Sequence, residues 1–209
     1  MNFKDYQIYM FEGCDRTGKS TFINYLYDEL KIQGFRPYVF HLMGPTKFNG
    51  LTFTNDEKSL IQLAKFNDEY DFLREMIKDD PKVKIILDRT SFGEYIWTKY
   101  WSREGKYTDY VTSEEFIKRH KDLFDKSLYI NFYMSDIKEL AHRIEISEED
   151  KKIFTIEGRS IEENIKYVYD MYEDLGNIIK KNDIAYLDID SSRFQTPEDD
   201  GMYISKLLA

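Results

Sequence analysis

Eight residues near the N-terminus have the types and spacing to cradle phosphate: Gly13-Cys14-Asp15-Arg16-Thr17-Gly18-Lys19-Ser20. They spell G-x-x-x-x-G-K-[ST], with an apolar run at 6–11 before them and a helix-period segment behind, the context in which this pattern has a mechanism. The glycines let the backbone curl so that successive N–H groups face inward and form an anion nest. A helix N-terminus adds partial positive charge. Lys19 brings a point charge to the β- and γ-phosphates of a nucleotide, and Ser20 offers a hydroxyl to Mg²⁺. Gly13, Cys14, Asp15, Arg16, Thr17, Gly18, Lys19, Ser20 and Thr21 are therefore the expected ATP-binding stretch, with ATP and Mg²⁺ as cofactors.

A second pair of chemistry-bearing residues follows the apolar run at 83–87: Asp88-Arg89. In an open parallel sheet, ligands lie beyond the carboxyl ends of the strands, so this pair should face the same crevice as the loop. Asp88 can orient Mg²⁺ or its water, and with Ser20 it makes up the expected metal set. The planar Arg89 guanidinium can clamp a second phosphate through two oxygens.

Other candidates read more plainly. His41, His120 and His142 have no metal-ligand spacing. Loop N–H groups would lower the pKa of the Cys14 thiol, but no base accompanies it, so it reads as a spacer. Among Phe66, Tyr70, Phe72, Tyr95, Trp97 and Tyr100, one ring could stack on a base, although aromatics at helical spacing usually belong to the core. Glu148-Glu149-Asp150-Lys151-Lys152 reads as a solvated face.

These residues need a frame. Short apolar runs at 6–11, 37–42, 83–87, 128–134 and 184–189 read as strands. Between them lie helix-period segments at 20–33, 55–79 (one helix or two), 92–101, 113–124, 136–146 and 160–181, with a short helix at 197–208. Ser113 and Asp136 are placed as N-caps and Gly34 as a stop. Residues 147–158 are charged and weakly patterned, which suggests a mobile loop or short lid. Strands separated by helices imply an α/β fold with a parallel sheet covered on both faces. With no repeat and no Pro/Gly/Ser linker, residues 1–209 are expected to form a single domain.

The chain carries 30 basic and 39 acidic residues, a net charge of −9. An acidic chain is a poor general nucleic-acid binder, since phosphate neutralisation needs clustered Lys and Arg. A local basic groove, or a small anionic ligand held by a few donors, stays open. Aromatics at 16% and apolar residues at 42% exclude a disordered chain. No apolar run approaches the ~20 residues of a membrane span, and Met1 to Asp5 lacks the features of a signal peptide. A single cysteine cannot form an intramolecular disulfide, which points to a cytoplasmic home, the host's for a viral chain.

Phe11-Glu12-Gly13-Cys14-Asp15-Arg16-Thr17-Gly18-Lys19-Ser20-Thr21 closely resembles the phosphate loop of thymidylate kinases, and Asp88-Arg89 resembles that family's Asp-Arg motif. The resemblance implies a three-layer P-loop NTPase fold with a five-stranded parallel sheet in order 2-3-1-4-5. It implies transfer of the ATP γ-phosphoryl to a (deoxy)nucleoside monophosphate, with dTMP or a related pyrimidine nucleotide first. By the same resemblance Lys19, Arg16, Asp88 and Arg89 are catalytic. Asp15 meets the acceptor sugar hydroxyl, and Arg16 stabilises the transferring charge, as in the eukaryotic-type enzymes. The lid, 144–158, contains no arginine, which agrees with that type. Arg143, just before it, is placed on the adenine or the ATP phosphates.

The acceptor side differs from the family. Where the family has Phe-Pro-x-Arg, this chain reads His41-Leu42-Met43-Gly44-Pro45-Thr46-Lys47. Lys47 is the stand-in for the arginine, and Arg74 is the nearest candidate for the family's helix arginine. Phe66, Tyr70, Arg89 and Glu94 complete the expected acceptor set with Asp15. Thr90-Ser91-Phe92-Gly93-Glu94-Tyr95 resembles phage-type P-loop kinases that act on modified pyrimidines in DNA. That activity, a deoxynucleoside kinase and a nucleotide-dependent switch are the alternatives. ATP and a small nucleotide are the expected partners, with a homodimer left open.

Overall fold

A computed structural model describes residues 3–41, 55–101, 109–156, 158–194 and 196–209, with backbone alone at 55–60, 62, 197 and 198. The expected acceptor residue Lys47 lies outside them. Five strands form one sheet: β1 (Ile8–Glu12), β2 (Arg36–Phe40), β3 (Val83–Asp88), β4 (Ser127–Tyr133) and β5 (Ala185–Asp190). All pairings are parallel and the order is β2-β3-β1-β4-β5, the order the resemblance implied.

β1 is central and every residue in it is buried, as its unbroken apolar run Ile8 to Phe11 requires. Phe11 pairs with Asp88 of β3 and Glu12 with Asn131 of β4. The chain leaves β1 toward β2 on one side and reaches β4 on the other. The loops after β1 and β3 therefore open side by side at the carboxyl end of the sheet.

Helices cover both faces. On one face α1 (Lys19–Ile32) and α9 (Pro197–Leu207) bury Phe22, Leu26, Leu30 and Ile204 against β1 and β4. On the other, α2 (Asn55–Ile77), α3 (Ser91–Tyr100) and α8 (Ile161–Lys181) bury Phe66, Leu73, Ile96, Val168 and Leu175. Each such side chain contributes about 1.5–3 kcal/mol relative to exposure.

Two helical expectations change. The stretch 113–124 is two short helices, α4 (Glu114–Arg119) and α5 (Lys121–Phe124), separated at His120, whose φ of −111° leaves the helical range. Ser113 caps α4 as expected, accepting from the Phe116 N–H. After α6 (Ile137–Glu145), capped by Asp136, the segment expected as a mobile loop or short lid contains a helix, α7 (Glu148–Phe154). Ser147 caps α7, three acids occupy its first turn and two lysines its last, which suits the helix dipole. Its inward positions Asp150 and Phe154 are buried, one turn apart.

Candidate active site

The phosphate loop begins where β1 ends. Gly13 takes φ +146°, and a Cβ there would meet the Phe132 carbonyl oxygen of β4 at 2.0 Å, so only glycine fits. The loop closes at Gly18, the N-cap of α1, and Lys19 is the first residue of that helix. Residues Cys14 to Thr21 line a cavity of about 480 Å³, with Arg143, Ile146 and Asp150 on its far wall. Thr17 is buried and its hydroxyl donates to the Cys14 carbonyl at 2.9 Å, fixing the curl. Burial pushes the Cys14 thiol well up, opposite to the expected lowering, because its side chain points into the core rather than at the loop amides.

Three cations of the site, Lys19, Arg89 and Arg16, are each paired with a carboxylate from another element. Lys19 Nζ donates to Asp88 Oδ1 at the end of β3. Arg89 Nη2 donates to Asp15 Oδ1 in the loop, and Arg89 Nη1 reaches the Gly13 carbonyl at 3.3 Å. Arg16 Nε donates to Asp150 Oδ2 of α7, and its Nη2 to Ser147 Oγ at 2.8 Å. Lys19, Asp88, Arg89, Asp15 and Arg16 are thus brought together as expected. Arg16 and Arg89 both adopt positive φ, +63° and +74°, conformations that cost a non-glycine residue roughly 1 kcal/mol each.

The structure also supplies partners that sequence reasoning missed. Asp150, read as part of a solvated face, is 9% exposed and holds Arg16. Its spacing from Phe154 is the signal that the charged run concealed. His41 Nδ1 lies 3.6 Å from Asp88 Oδ2. Trp97, one of the six aromatics considered, lies under the Arg89 guanidinium at 5.4 Å. Glu12 is fully buried beside the loop, and burial, opposed chiefly by Arg89, raises its pKa to about 7.

Several expected acceptor residues are elsewhere. Phe66 and Tyr70 are core residues, 0% and 1% exposed. The Tyr70 ring packs against Phe116, Phe124 and His120, and its hydroxyl is within 2.8 Å of Ser91 Oγ. Neither can stack on a ligand without repacking. Arg74 is held by Asp122 and Asp71. The reason is direction: α2 runs back along the sheet, so its last turn lies near the start of β3, opposite the loop. Glu94 sits in the first turn of α3, half-buried, and accepts from Thr98 Oγ1 at 3.2 Å. Arg143 lines the cavity and donates to Glu139 at 2.7 Å.

Ser20 is exposed on the cavity wall, and Asp88 is paired with Lys19, which lines the same cavity. No cluster of three His, Cys, Asp or Glu occurs among the described residues. One hydroxyl and one carboxylate suit Mg²⁺, which keeps several waters and takes the rest of its ligands from phosphate.

No family model and no curated protein sequence matches this chain. Solved structures do. YorR from Bacillus subtilis, in complex with phosphorylated GDP, aligns with a TM-score of 0.57 at 16% identity, over 96% of this chain and 95% of that one. The M. mycoides deoxyadenosine kinase with bound dCTP aligns at 0.54 and 17%, over 96% and 98%. The same enzyme with products dCMP and a flexible dCDP aligns at 0.56 and 18%, over 96% and 97%. This chain shares their fold. At such identities the likeness fixes the three-layer P-loop architecture and leaves the chemistry to the site. No described helix is long and apolar enough to cross a membrane.

Proposed function

We propose that this chain is an ATP-dependent nucleotide kinase that transfers the γ-phosphoryl to a (deoxy)nucleoside monophosphate, dTMP or a related pyrimidine nucleotide first. The observation that carries the proposal is the pairing of two anion-holding groups across one crevice: Lys19 in the phosphate loop and Arg89 at the end of the adjacent strand. The first is suited to a donor triphosphate and the second to an acceptor phosphate.

Asp88, Asp15 and Asp150 each hold a cation ready for phosphate oxygens. When the donor binds, the loop amides and Lys19 take its β- and γ-phosphates. Ser20 and Asp88 would hold Mg²⁺, which supplies charge neutralisation across those phosphates. Arg89 takes the acceptor phosphate, and Asp15 the sugar hydroxyl. An acceptor oxygen then bonds to the γ-phosphorus as the bond to the β,γ-bridging oxygen breaks, and ADP leaves. That oxygen is already anionic at neutral pH, so alignment and charge neutralisation do the work and no strong base is needed. Residues 144–158 act as a lid. The support is that Ser147 and Asp150 already reach Arg16 across the cavity. Lid closure excludes water and suppresses hydrolysis.

The likeness to a deoxyadenosine kinase favours one second reading, a nucleoside acceptor. A hydroxyl acceptor would need a carboxylate base. ADP release from ATP and Mg²⁺, measured against a panel of nucleosides, nucleoside monophosphates and duplex DNA, separates the readings. Stimulation by a monophosphate supports the first. Stimulation by a nucleoside alone, or by DNA alone, overturns it.

A further inference from the structure

Glu12 has no role in the site as described, yet it touches the turn that presents Arg89. It closes β1, fully buried, one residue before the loop. Its Oε1 accepts two hydrogen bonds from Thr90, from the amide at 2.6 Å and from the hydroxyl at 2.8 Å. Thr90 Oγ1 also accepts from the Phe92 amide at 3.2 Å and caps α3. One carboxylate oxygen therefore fastens the whole β3–α3 turn.

Arg89 lies inside that turn at φ +74°. Such a conformation persists in a non-glycine residue only when its surroundings hold it. Here the holding groups are consecutive residues of β1. The Arg89 amide donates to the Phe11 carbonyl at 2.9 Å, and the next amide donates to Glu12. The side chain of Arg89 then turns back to Gly13 and Asp15. The other oxygen of Glu12, Oε2, has no hydrogen-bond partner among the described residues. It lies against Gly93, where an added Cβ would come within 2.9 Å of it, so Gly93 is the seat of the carboxylate.

We propose that Glu12 is a positioning residue for Arg89: by fixing the Thr90 turn it sets the affinity for the anionic acceptor and leaves the donor half of the loop alone. The acceptor part of this inference rests on the nucleotide-kinase reading above; the positioning part does not.

Two measurements test it on the full chain. The first is the side-chain Nε–Hε resonance of Arg89, assigned by its loss in Arg89→Lys. Glu12→Ala should move it, and so should Gly93→Ala, which displaces the carboxylate and serves if Glu12→Ala does not fold. The second is the kinetic split. A Gln carbonyl can accept both Thr90 bonds, so Glu12→Gln should keep the acceptor KM within about threefold of wild type. Glu12→Ala should raise it about tenfold or more while the ATP KM stays within about twofold. An unmoved Arg89 resonance in both Ala variants overturns the positioning role. Acceptor and ATP KM rising together overturn the acceptor-specific part, since they mark general damage to the loop. If the wild type transfers phosphate to no nucleoside or nucleotide, the kinase reading falls, and the resonance still decides the role of Glu12.

Discussion

Lys19 Nζ donates to Asp88 Oδ1, joining the first residue of α1 to the last residue of β3 across the mouth of the sheet. Lys19 is only 7% exposed, so its charge is largely withdrawn from water and held by one carboxylate. A phosphate entering the loop meets a cation that has already lost most of its hydration, and such a cation acts more strongly than one in bulk solvent.

Lys19→Met removes that charge and keeps the length of the side chain. Asp88 stays partly exposed to water, so the fold should survive. Turnover should fall by at least tenfold, because several kcal/mol of transition-state stabilisation are lost. Steady-state ADP release checks this. A variant with more than about a tenth of wild-type turnover contradicts the role given to Lys19.

Arg16 has positive φ and an exposed side chain tied to Ser147 and Asp150. Arg16→Gly relieves the backbone strain while it breaks those ties. Its stability should therefore stay within about 1 kcal/mol of wild type. If Arg16 stabilises the transferring phosphoryl, kcat should fall far more than the ATP KM rises. Weaker ATP binding with intact kcat would reduce Arg16 to a binding residue.

His120 and Glu12 should give stability slopes of opposite sign. His120 is buried against Tyr70 and Phe116, and burial, helped by Arg74 and Arg119, lowers its pKa from 6.5 to about 4. The unfolded chain then takes up the proton first. The contribution of His120 is present in full above pH 6.5 and is lost as pH falls toward 4. Glu12 is the reverse. Its folded pKa of about 7 lies above the ordinary 4.5, so its contribution is full below 4.5 and is lost as pH rises through 7. Urea unfolding from pH 4.5 to 7.5 reads both. Relative to wild type, His120→Gln should lose a positive slope and Glu12→Gln a negative one, each on the order of 1–3 kcal/mol across the window. Parallel curves for wild type and either variant would contradict the burial argument for that residue.

The architecture was legible because its signals are local and repeated. Five apolar runs with helix-period segments between them allow few sheets other than a parallel one, and the loop pattern needs a strand before it and a helix after it. The curl of the loop between β1 and α1 was legible for the same reason, since Gly13 to Thr21 is contiguous. The rest depends on contacts between residues far apart in the chain. Asp150 reaches Arg16 across 134 residues, and Glu12 reaches Thr90 across 78. Both contacts involve carboxylates whose neighbours in sequence say nothing about their partners. Phe66 and Tyr70 were misplaced because an aromatic at helical spacing suits a core and a base-stacking wall equally, and burial alone separates the two. Arg74 failed on direction, which spacing does not carry.

Under the proposed nucleotide-kinase reading, Arg89 is the residue that tests the acceptor. Its guanidinium lies between Asp15 and the Trp97 ring, at 12% side-chain exposure, and burial opposed by Asp15 leaves it firmly protonated. A planar fork held in this way matches two oxygens of a monophosphate, whereas lysine offers a point charge without the stacking face. Arg89→Lys should therefore raise the KM for the nucleoside monophosphate by about tenfold or more, and leave the ATP KM within about twofold. A nucleoside acceptor carries no phosphate for the fork to hold, so under that reading the same variant should leave acceptor KM nearly unchanged. Measuring both acceptors with wild type and Arg89→Lys distinguishes the two. An unchanged monophosphate KM would show that Arg89 does not hold the acceptor phosphate, and would leave it a structural tie between β3 and the loop.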